Sequence, residues 1–447
     1  MSVVTLQLGQ CGTQIGQALF DCLAAETESD QGPARSPLDV FFRPVDERSP
    51  RTKRNRRHAR AVLVDMEPKV INKAIVSAAH SASDWCYPAN SSFSQQSGSG
   101  NNWARGYNSY GPKFASTVCE LVRREAEQAD YLGGFLLLQS MAGGTGAGLG
   151  TYVAEAIRDT FPSSFLMNHC IWPYQSGEVI VQNYNSLLTL AHLAEISDGI
   201  ILMENSALHT ACQRLLNIQR PSFNDLNGVA ARSITSSLLP ACYRPAAGGT
   251  SQQGKQVTLF GDIIEKVCCH PAYRLLSLRA LPQMPPASLD FTTFTWPPIL
   301  RRLRQMQVTG SVVEEGLQWN VKVNGSDDIR SQRINKSLAA MLTLRGQGAR
   351  QADVSMFSHP GLYTPWAVQP LTVASAADGF ANCEMSASLL SNDQTCMGLI
   401  RPMQDKAYKM YNAGAYLHQY KQFGIDKQDF DSCFARIEDT YASYQAL

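Results

Sequence analysis

Residues 142–150 read Ala-Gly-Gly-Thr-Gly-Ala-Gly-Leu-Gly. An apolar run, Phe135-Leu136-Leu137-Leu138, precedes them and predicts a buried strand. Leu149, Tyr152, Val153, Ala156 and Ile157 follow at the spacing of one helix face. Strand, glycine loop and helix form an arrangement that cradles phosphate. Glycines let backbone N–H groups approach the oxygens, and the helix start adds partial positive charge. Thr145 can add a hydroxyl. A glycine run also fits a plain turn, but the strand before it and the helix after it favour the phosphate reading. Two common phosphate loops do not match. A Walker A loop ends in Gly-Lys-Ser/Thr, and no Lys follows Gly146 or Gly148. The dinucleotide fingerprint needs Gly-x-Gly-x-x-Gly, and Gly146-x-Gly148-x-Gly150 has the wrong spacing.

Such a loop must be held by a sheet, and the first half of the chain reads as one. Short apolar strands at 3–8, 61–64, 134–140, 165–172 and 199–203 alternate with helical patterns at 15–23, 114–128, 151–158 and 180–193. This alternation predicts a mostly parallel sheet covered on both faces. Ligands bind such sheets outside the carboxyl ends of the strands. Further polar or glycine-rich turns fall at those ends: Gly9-Gln10-Cys11-Gly12, Asp65-Met66-Glu67-Pro68 and residues 98–102. One glycine turn is weak, but several on one edge of one sheet describe a nucleotide pocket.

The 447 residues allow about three domains and an ample core. Hydrophobic content of 44% and charged content of 17% mark a folded chain rather than a disordered one. A formal net charge of +1 excludes a general attraction to nucleic acid or membrane. No run of about 18 apolar residues is present to span a bilayer. The start, MSVVTLQLGQCG, has no basic n-region and is expected not to be a signal peptide. The 12 cysteines include no Cys-x-x-Cys and the 8 histidines no His-Glu-x-x-His, so reduced intracellular thiols and no His/Cys metal cluster are expected.

Between 30 and 60 the pattern breaks at Pro33, Pro37, Pro44 and Pro50, and Arg51, Lys53, Arg54, Arg56, Arg57 and Arg60 form a basic run. It reads as a solvated loop, with contact to an acidic partner or nucleic acid as the alternative. Residues 246–256 read as a surface loop. From about 281 to 370 strands and helices mix, which predicts a second, α+β domain. Segments 405–419 and 427–444, separated by Gly424, read as a helical hairpin.

Residues 143–148 resemble the Gly-Gly-Thr-Gly-Ser/Ala-Gly signature of the tubulin and FtsZ family. The resemblance to tubulins runs nearly the whole length. Leu8-Gly9-Gln10-Cys11-Gly12-Thr13-Gln14-Ile15-Gly16 is similar to the first nucleotide loop, with Thr13 where most members carry Asn. Residues 98–106, Asn183-Tyr184-Asn185-Ser186, residues 220–227 and Tyr416-Leu417-His418-Gln419-Tyr420 are similar to later family segments. Residues 65–72, 98–103 and 172–182 resemble the delta-type tubulins rather than alpha or beta chains, as does an ending with no acidic tail. Gamma- or epsilon-like tubulins are the alternative. The implied fold is α/β. It has a Rossmann-like, mostly parallel GTPase domain at 1–204, a core helix with an α+β intermediate domain at 205–375, and C-terminal helices at 376–447.

The resemblance also implies a ligand, GTP or GDP with magnesium. Gly9, Gln10, Cys11 and Gln14 would serve the phosphates, with Asn101, Ser140, Gly143, Gly144, Thr145 and Gly146 around them. Asp65 and Glu67 would act on magnesium mainly through water, which suits a cation that prefers oxygen and keeps its hydration. The alternative for Asp65 is helix capping. Asn205 and Asn227 match guanine-reading positions, where an amide offers donor and acceptor together. Phe223 matches the aromatic that stacks on the base; by residue type alone it reads as core. At the ribose, Gln182 stands where alpha and beta chains place Glu, and Glu178 one turn earlier is a candidate for that contact. Hydrolysis in the family uses a carboxylate from the neighbouring subunit to orient water, which places Asp262 in a role in trans, with Glu265 as substitute.

The resemblance thus implies a GTP-binding cytoskeletal protein acting in centriole and basal-body structure, triplet microtubules and cilium or flagellum assembly, with slow, assembly-dependent hydrolysis. Its implied partners are other tubulins of epsilon, alpha or beta type through longitudinal contacts, and centriolar proteins, with no nucleic acid and no membrane. Its implied location is the cytoplasm and cytoskeleton, at the centrosome and basal body. The competing readings are a self-standing GTPase, a tubulin that caps or nucleates microtubules, and a nucleotide-stabilised binding module.

Overall fold

The computed structural model describes residues 2–27, 37–44, 57–81, 83–177, 179–244, 259–289, 291–323 and 334–447. These divide into two compact units, Met1–Ile200 with Ile400–Asp439, and Ile201–Leu399 with Thr440–Leu447.

In the first unit, strands β1 (Ser2–Leu8), β2 (Ala61–Asp65), β3 (Ser92–Ser94), β4 (Leu132–Ser140) and β5 (Leu166–Trp172) lie in the order β3-β2-β1-β4-β5. Each neighbouring pair is parallel, with Gln7 opposite Leu63 and Leu138, and Leu138 opposite His169. Helices α1 (Gly9–Thr27), α2 (Pro68–Ala79), α3 (Gly111–Ala126), α4 (Gly150–Thr160) and α5 (Gln182–Ile196) accompany them. Every residue of β1 and β5 is buried, as befits strands covered on both faces. The predicted parallel sheet is therefore present.

Helix α1 begins at Gly9, well before the apolar spacing at Ile15 that marked it in the sequence. Gly9 has φ +71, so the chain leaves β1 and enters the helix without a connecting loop. The helix predicted at 405–419 is two helices, Met397–Asn412 and Leu417–Lys421, with Gly414 and Tyr416 at positive φ between them. The first of these starts earlier than predicted because it accommodates Pro402 in its interior. Their residues 400–421, with 427–439 of Lys427–Gln445, belong to the first unit. Tyr184 lies 5.5 Å from the Tyr420 ring and 4.9 Å from Phe430, and Arg436 pairs with Glu195 at 2.8 Å.

Arg51, Lys53, Arg54, Arg56 and the 246–256 loop lie outside the described residues. The end of the basic run is not solvated. Arg57–Ala59 pairs with Phe42–Pro44 and with Trp85–Cys86. Arg60 is only 7% exposed, donating from Nε to the Phe42 carbonyl and from Nη1 to the Gln128 carbonyl, both at 3.2 Å. Burial lowers its pKa, against the nearby charge of Glu125, so this arginine is a structural member.

The second unit holds a mixed sheet. Its long strand Ser337–Gly346 is antiparallel to Met385–Asp393 and parallel to Leu371–Ala376. Helix Trp296–Thr309 buries Leu300, Leu303 and Met306 in a core with Leu342, Leu344 and Leu389. That is the predicted α+β character. Arg279 is wholly buried and pairs with Asp393 at 2.9 Å, while its Nε donates to the Ser311 carbonyl at 2.8 Å. Burial alone would raise the Asp393 carboxyl, but Arg279 and the hydroxyls of Ser277, Ser391 and Thr395 outweigh it and hold the pKa below the usual value. Among the described residues, no helix is long and apolar enough to cross a membrane.

Two stability predictions follow from these buried groups. Asp393→Asn leaves the Arg279 charge uncompensated and should cost about 3–5 kcal/mol in denaturant unfolding. His169 is wholly buried, neither ring nitrogen has a hydrogen-bond partner among the described residues, and burial lowers its pKa from 6.5 to about 3. The unfolded chain takes up that proton first, so stability is full above pH 6.5 and falls by about 1.4 kcal/mol per unit as pH drops toward 3. Unfolding of His169→Leu across that window should show a shallower acid limb than the parent, and an identical limb would contradict the assignment.

Candidate functional site

Because β1 to β5 are parallel, their carboxyl ends share one edge, and the segments beginning at Gly9, Asp65, residue 98, residue 142 and residue 173 follow from it. Three of these segments touch through their backbones. A Cβ on Gly9 would lie 2.8 Å from the Gly146 nitrogen. One on Gly144 would lie 2.5 Å from Ser99 Oγ and 2.6 Å from the Asn102 carbonyl. Ser99 Oγ and Thr145 Oγ1 are 3.0 Å apart. Ser140 Oγ accepts from the Ala142 N–H at 3.3 Å, starting the turn. Two helix starts converge here, that of α1 at Gly9 and that of α4 at Gly150, which a π turn over Thr145–Leu149 precedes. Such an edge of backbone donors and helix starts suits a polyphosphate.

One side chain ties the loops together, and residue-type reasoning did not single it out. Asn185, in the first turn of α5, is wholly buried. Its Nδ2 donates to the Asn101 carbonyl at 2.8 Å and the Ala142 carbonyl at 2.6 Å. Its Oδ1 accepts from the Trp103 N–H at 3.2 Å and the Tyr420 hydroxyl at 2.6 Å. The available sequence signal was an asparagine in the polar run Gln182-Asn183-Tyr184-Asn185-Ser186 that leads into Leu187, Leu188 and Leu190. Asn101 itself is exposed, takes φ 54, and brings Oδ1 to 4.0 Å from where a Gly143 Cβ would stand.

Asp65 ends β2. Its Oδ1 accepts from the Glu67 N–H at 3.1 Å, and its Oδ2 is buried with no partner among the described residues. Burial pushes its pKa up to about 6, against the backbone donor of Glu67. It is not the cap of α2; that position is Glu67, whose side chain makes no capping bond. Glu67 is exposed, its Oε1 3.7 Å from a Cβ built on Gly98, so both acids border the same edge of the sheet. Among the described residues no three His, Cys, Asp or Glu side chains gather to hold a metal ion. The oxygen chemistry of Asp65 and Glu67 nevertheless suits magnesium held through water.

Gln10 is exposed at the start of α1; Cys11 beside it and Gln14 one turn on are partly buried. Burial pushes the Cys11 thiol up to about 12, so it stays protonated. Thr13 is wholly buried with Oγ1 unpaired among the described residues. Gln182 is 4% exposed and donates from Nε2 to the Tyr174 carbonyl at 2.6 Å, so its amide closes the 173–181 segment from within. Glu178 lies outside the described residues.

The remaining predicted residues belong to the second unit. Asn205 opens the helix Asn205–Thr210. Helix Phe223–Leu238 begins with a capping box, in which Ser222 accepts from the Asp225 N–H and Asp225 accepts from the Ser222 N–H. Phe223, which residue type alone placed in the core, is 55% exposed at that helix start; Asn227, one turn on, is buried. The ring belongs to the first residue of the helix, one turn before the buried Leu226 and Asn227. Asp262, in the first turn of Leu259–Val267, is 8% exposed. Its carboxylate, with burial the larger cause, pushes up the pKa of the Tyr243 hydroxyl. Glu265 on the same helix has a side chain 66% exposed and pairs with Lys266 at 2.7 Å.

Residues 2–213 match the Tubulin/FtsZ family, GTPase domain. The chain is 41% identical to the tubulin delta chain of Mus musculus over 466 residues, covering 100% of both chains. It is 41% identical to the tubulin delta chain of Homo sapiens over 463 residues, 99% of each. To the tubulin beta chain of Aspergillus fumigatus it is 29% identical over 462 residues, 99% of this chain and 94% of that one.

The loop packing makes a direct prediction. Gly144→Ala forces the 142–146 loop away from Ser99 and Asn102. An overpacking cost of about 1–3 kcal/mol should weaken guanine-nucleotide binding by about 5-fold to 150-fold in titration calorimetry.

Proposed function

Because the chain belongs to the tubulin family of GTP-binding cytoskeletal proteins, we propose that it acts as delta-type tubulins do, in centriole and basal-body structure, where triplet microtubules form, and so in cilium and flagellum assembly. The observation that carries this is the full-length identity of 41% to tubulin delta chains against 29% to a beta chain.

In this reading the loops at Gly9, residue 98 and residue 142 hold the phosphates, with Gln10, Cys11, Gln14, Asn101, Ser140, Thr145 and the glycines Gly143, Gly144 and Gly146 around them. Supporting it are the backbone contacts of these loops and the pairing of Ser99 with Thr145. Asp65 and Glu67 hold magnesium mainly through water, and the ion when bound neutralises phosphate charge. Asn205 and Asn227 read guanine, and Phe223 stacks on it; the exposure of that ring at a helix start supports the last role. Gln182, one of whose amide N–H groups bonds the Tyr174 carbonyl, and Glu178 are the candidate ribose partners.

Hydrolysis is slow in the single chain and is completed in assembly, when a carboxylate on one subunit orients water toward the nucleotide of the next. Asp262 is the assigned acid, and Glu265 is the alternative on the same helix. The exposure of Glu265 beside a buried Asp262 favours Glu265 as the one able to reach a neighbour. Other tubulins are the partners, through longitudinal contacts, with centriolar proteins at the basal body.

Purified chain should carry guanine nucleotide by chromatography and co-purify with another tubulin. Dilute monomer should turn GTP over very slowly, and fast turnover would overturn the assembly-dependent reading. In assemblies, Asp262→Asn or Glu265→Gln should lower turnover by about 100-fold for whichever residue is the acid; normal turnover in both would remove both from the role. Fluorescently tagged chain should mark basal bodies, and its loss should deplete triplets in electron micrographs.

A further inference from the structure

The phosphate loops are held from behind by a piece of chain more than 200 residues away in sequence. Tyr420, wholly buried with its ring edge-on to Tyr184 and Phe430, donates its hydroxyl to Asn185 Oδ1 at 2.6 Å. The neighbouring residues of that segment are gripped as well. Asn102 Nδ2 donates to the Gln419 carbonyl at 3.1 Å, Asn108 Nδ2 to the Phe423 carbonyl at 2.8 Å, and the Tyr184 hydroxyl to the Ala415 carbonyl at 3.1 Å. Every one of these partners lies in the 98–108 segment or the first turn of α5, which flank the phosphate edge.

Asn185 converts this grip into an orientation of the loop backbone. Its Nδ2 holds the Ala142 carbonyl at 2.6 Å. In a planar trans peptide the C=O and the following N–H point in opposite directions, so pinning that carbonyl to α5 turns the Gly143 N–H away from α5. The Asn185 amide can play this part only with Oδ1 toward the Trp103 N–H and the Tyr420 hydroxyl, and the Trp103 N–H, which can only donate, enforces that orientation together with the two carbonyls on Nδ2.

We propose that residues 415–423 form a strap that sets the phosphate loops, with Tyr420 as a positioning residue acting through Asn185, so that nucleotide retention and the order of the strap are coupled. This deepens the guanine-nucleotide reading and rests on it. By linkage, whatever factor the strap contributes to nucleotide affinity, bound nucleotide returns to the order of the strap. A protein that grips the C-terminal helices would then change nucleotide retention without touching the nucleotide.

The test uses the full chain with Tyr420→Phe, which removes one oxygen and keeps the ring. Release of a fluorescent GDP analogue should quicken roughly fivefold, the weight of one buried hydrogen bond. Amide exchange at 101–103 and 142–144 should quicken with it. Asn108→Ala loosens the far end of the strap away from the loops, and should act in the same direction and less than multiplicatively with Tyr420→Phe. Tyr411→Phe removes a hydroxyl that bonds Asp431 at 2.6 Å on the C-terminal helices, and should leave release unchanged. Lower thermal stability of Tyr420→Phe with parental release and parental exchange would overturn the proposal and leave the hydroxyl a plain structural contact. A parent chain that binds no guanine nucleotide would refute the nucleotide reading instead, and exchange at 142–144 would still decide the strap.

Discussion

The loop edge proposed to hold phosphate exists because three loops meet backbone to backbone. Gly9 lies against Gly146, and Gly144 against Ser99 and Asn102, at distances where a single methyl group would not fit. This close approach is what lets loops from β1, β3 and β4 present one surface rather than three. It also explains why the sheet must be parallel. Only then do successive strands deliver their connecting segments to the same edge. The helices α1 and α4 follow from the same constraint, since each starts at or just beyond a glycine that turns the chain back from that edge.

Close backbone packing leaves carbonyls and N–H groups that water cannot reach, and Asn185 answers part of that demand. Its amide joins Asn101, Trp103 and Ala142 to one another and to Tyr420. A buried amide with both its donors and its acceptor engaged is rigid and specifying, whereas a half-used one would be costly. Residues 400–439 are thereby part of the first unit, not an appendage to it. Asp65 differs: one oxygen is used by the Glu67 N–H, the other is buried and unpartnered, and burial raises its pKa to about 6. A carboxyl poised in that way gains from a nearby cation.

The second unit makes a different use of charge. Arg279 and Asp393 are fully buried, and hydroxyls and a carbonyl around them complete their hydrogen bonds. They fix the strands of the mixed sheet. Asp262 and Glu265 share one short helix yet differ sharply in exposure, because Asp262 faces Tyr243 and Glu265 faces solvent beside Lys266.

Much was legible in the residues themselves. Apolar runs alternating with helical patterns, and glycines at the strand ends, are local signals, so the parallel sheet, the glycine turns gathered at one of its edges and the family resemblance could be read without coordinates. What the tertiary structure decided depends on which distant residues meet. Gln182 meets Tyr174, Arg60 meets Phe42 and Gln128, and Asn185 meets Tyr420. Phe223, apolar enough for a core, stands in solvent because it sits at a capped helix start. Residue type and spacing report what a side chain is able to do; burial and partner set what it does, and those come from packing between segments far apart in the chain.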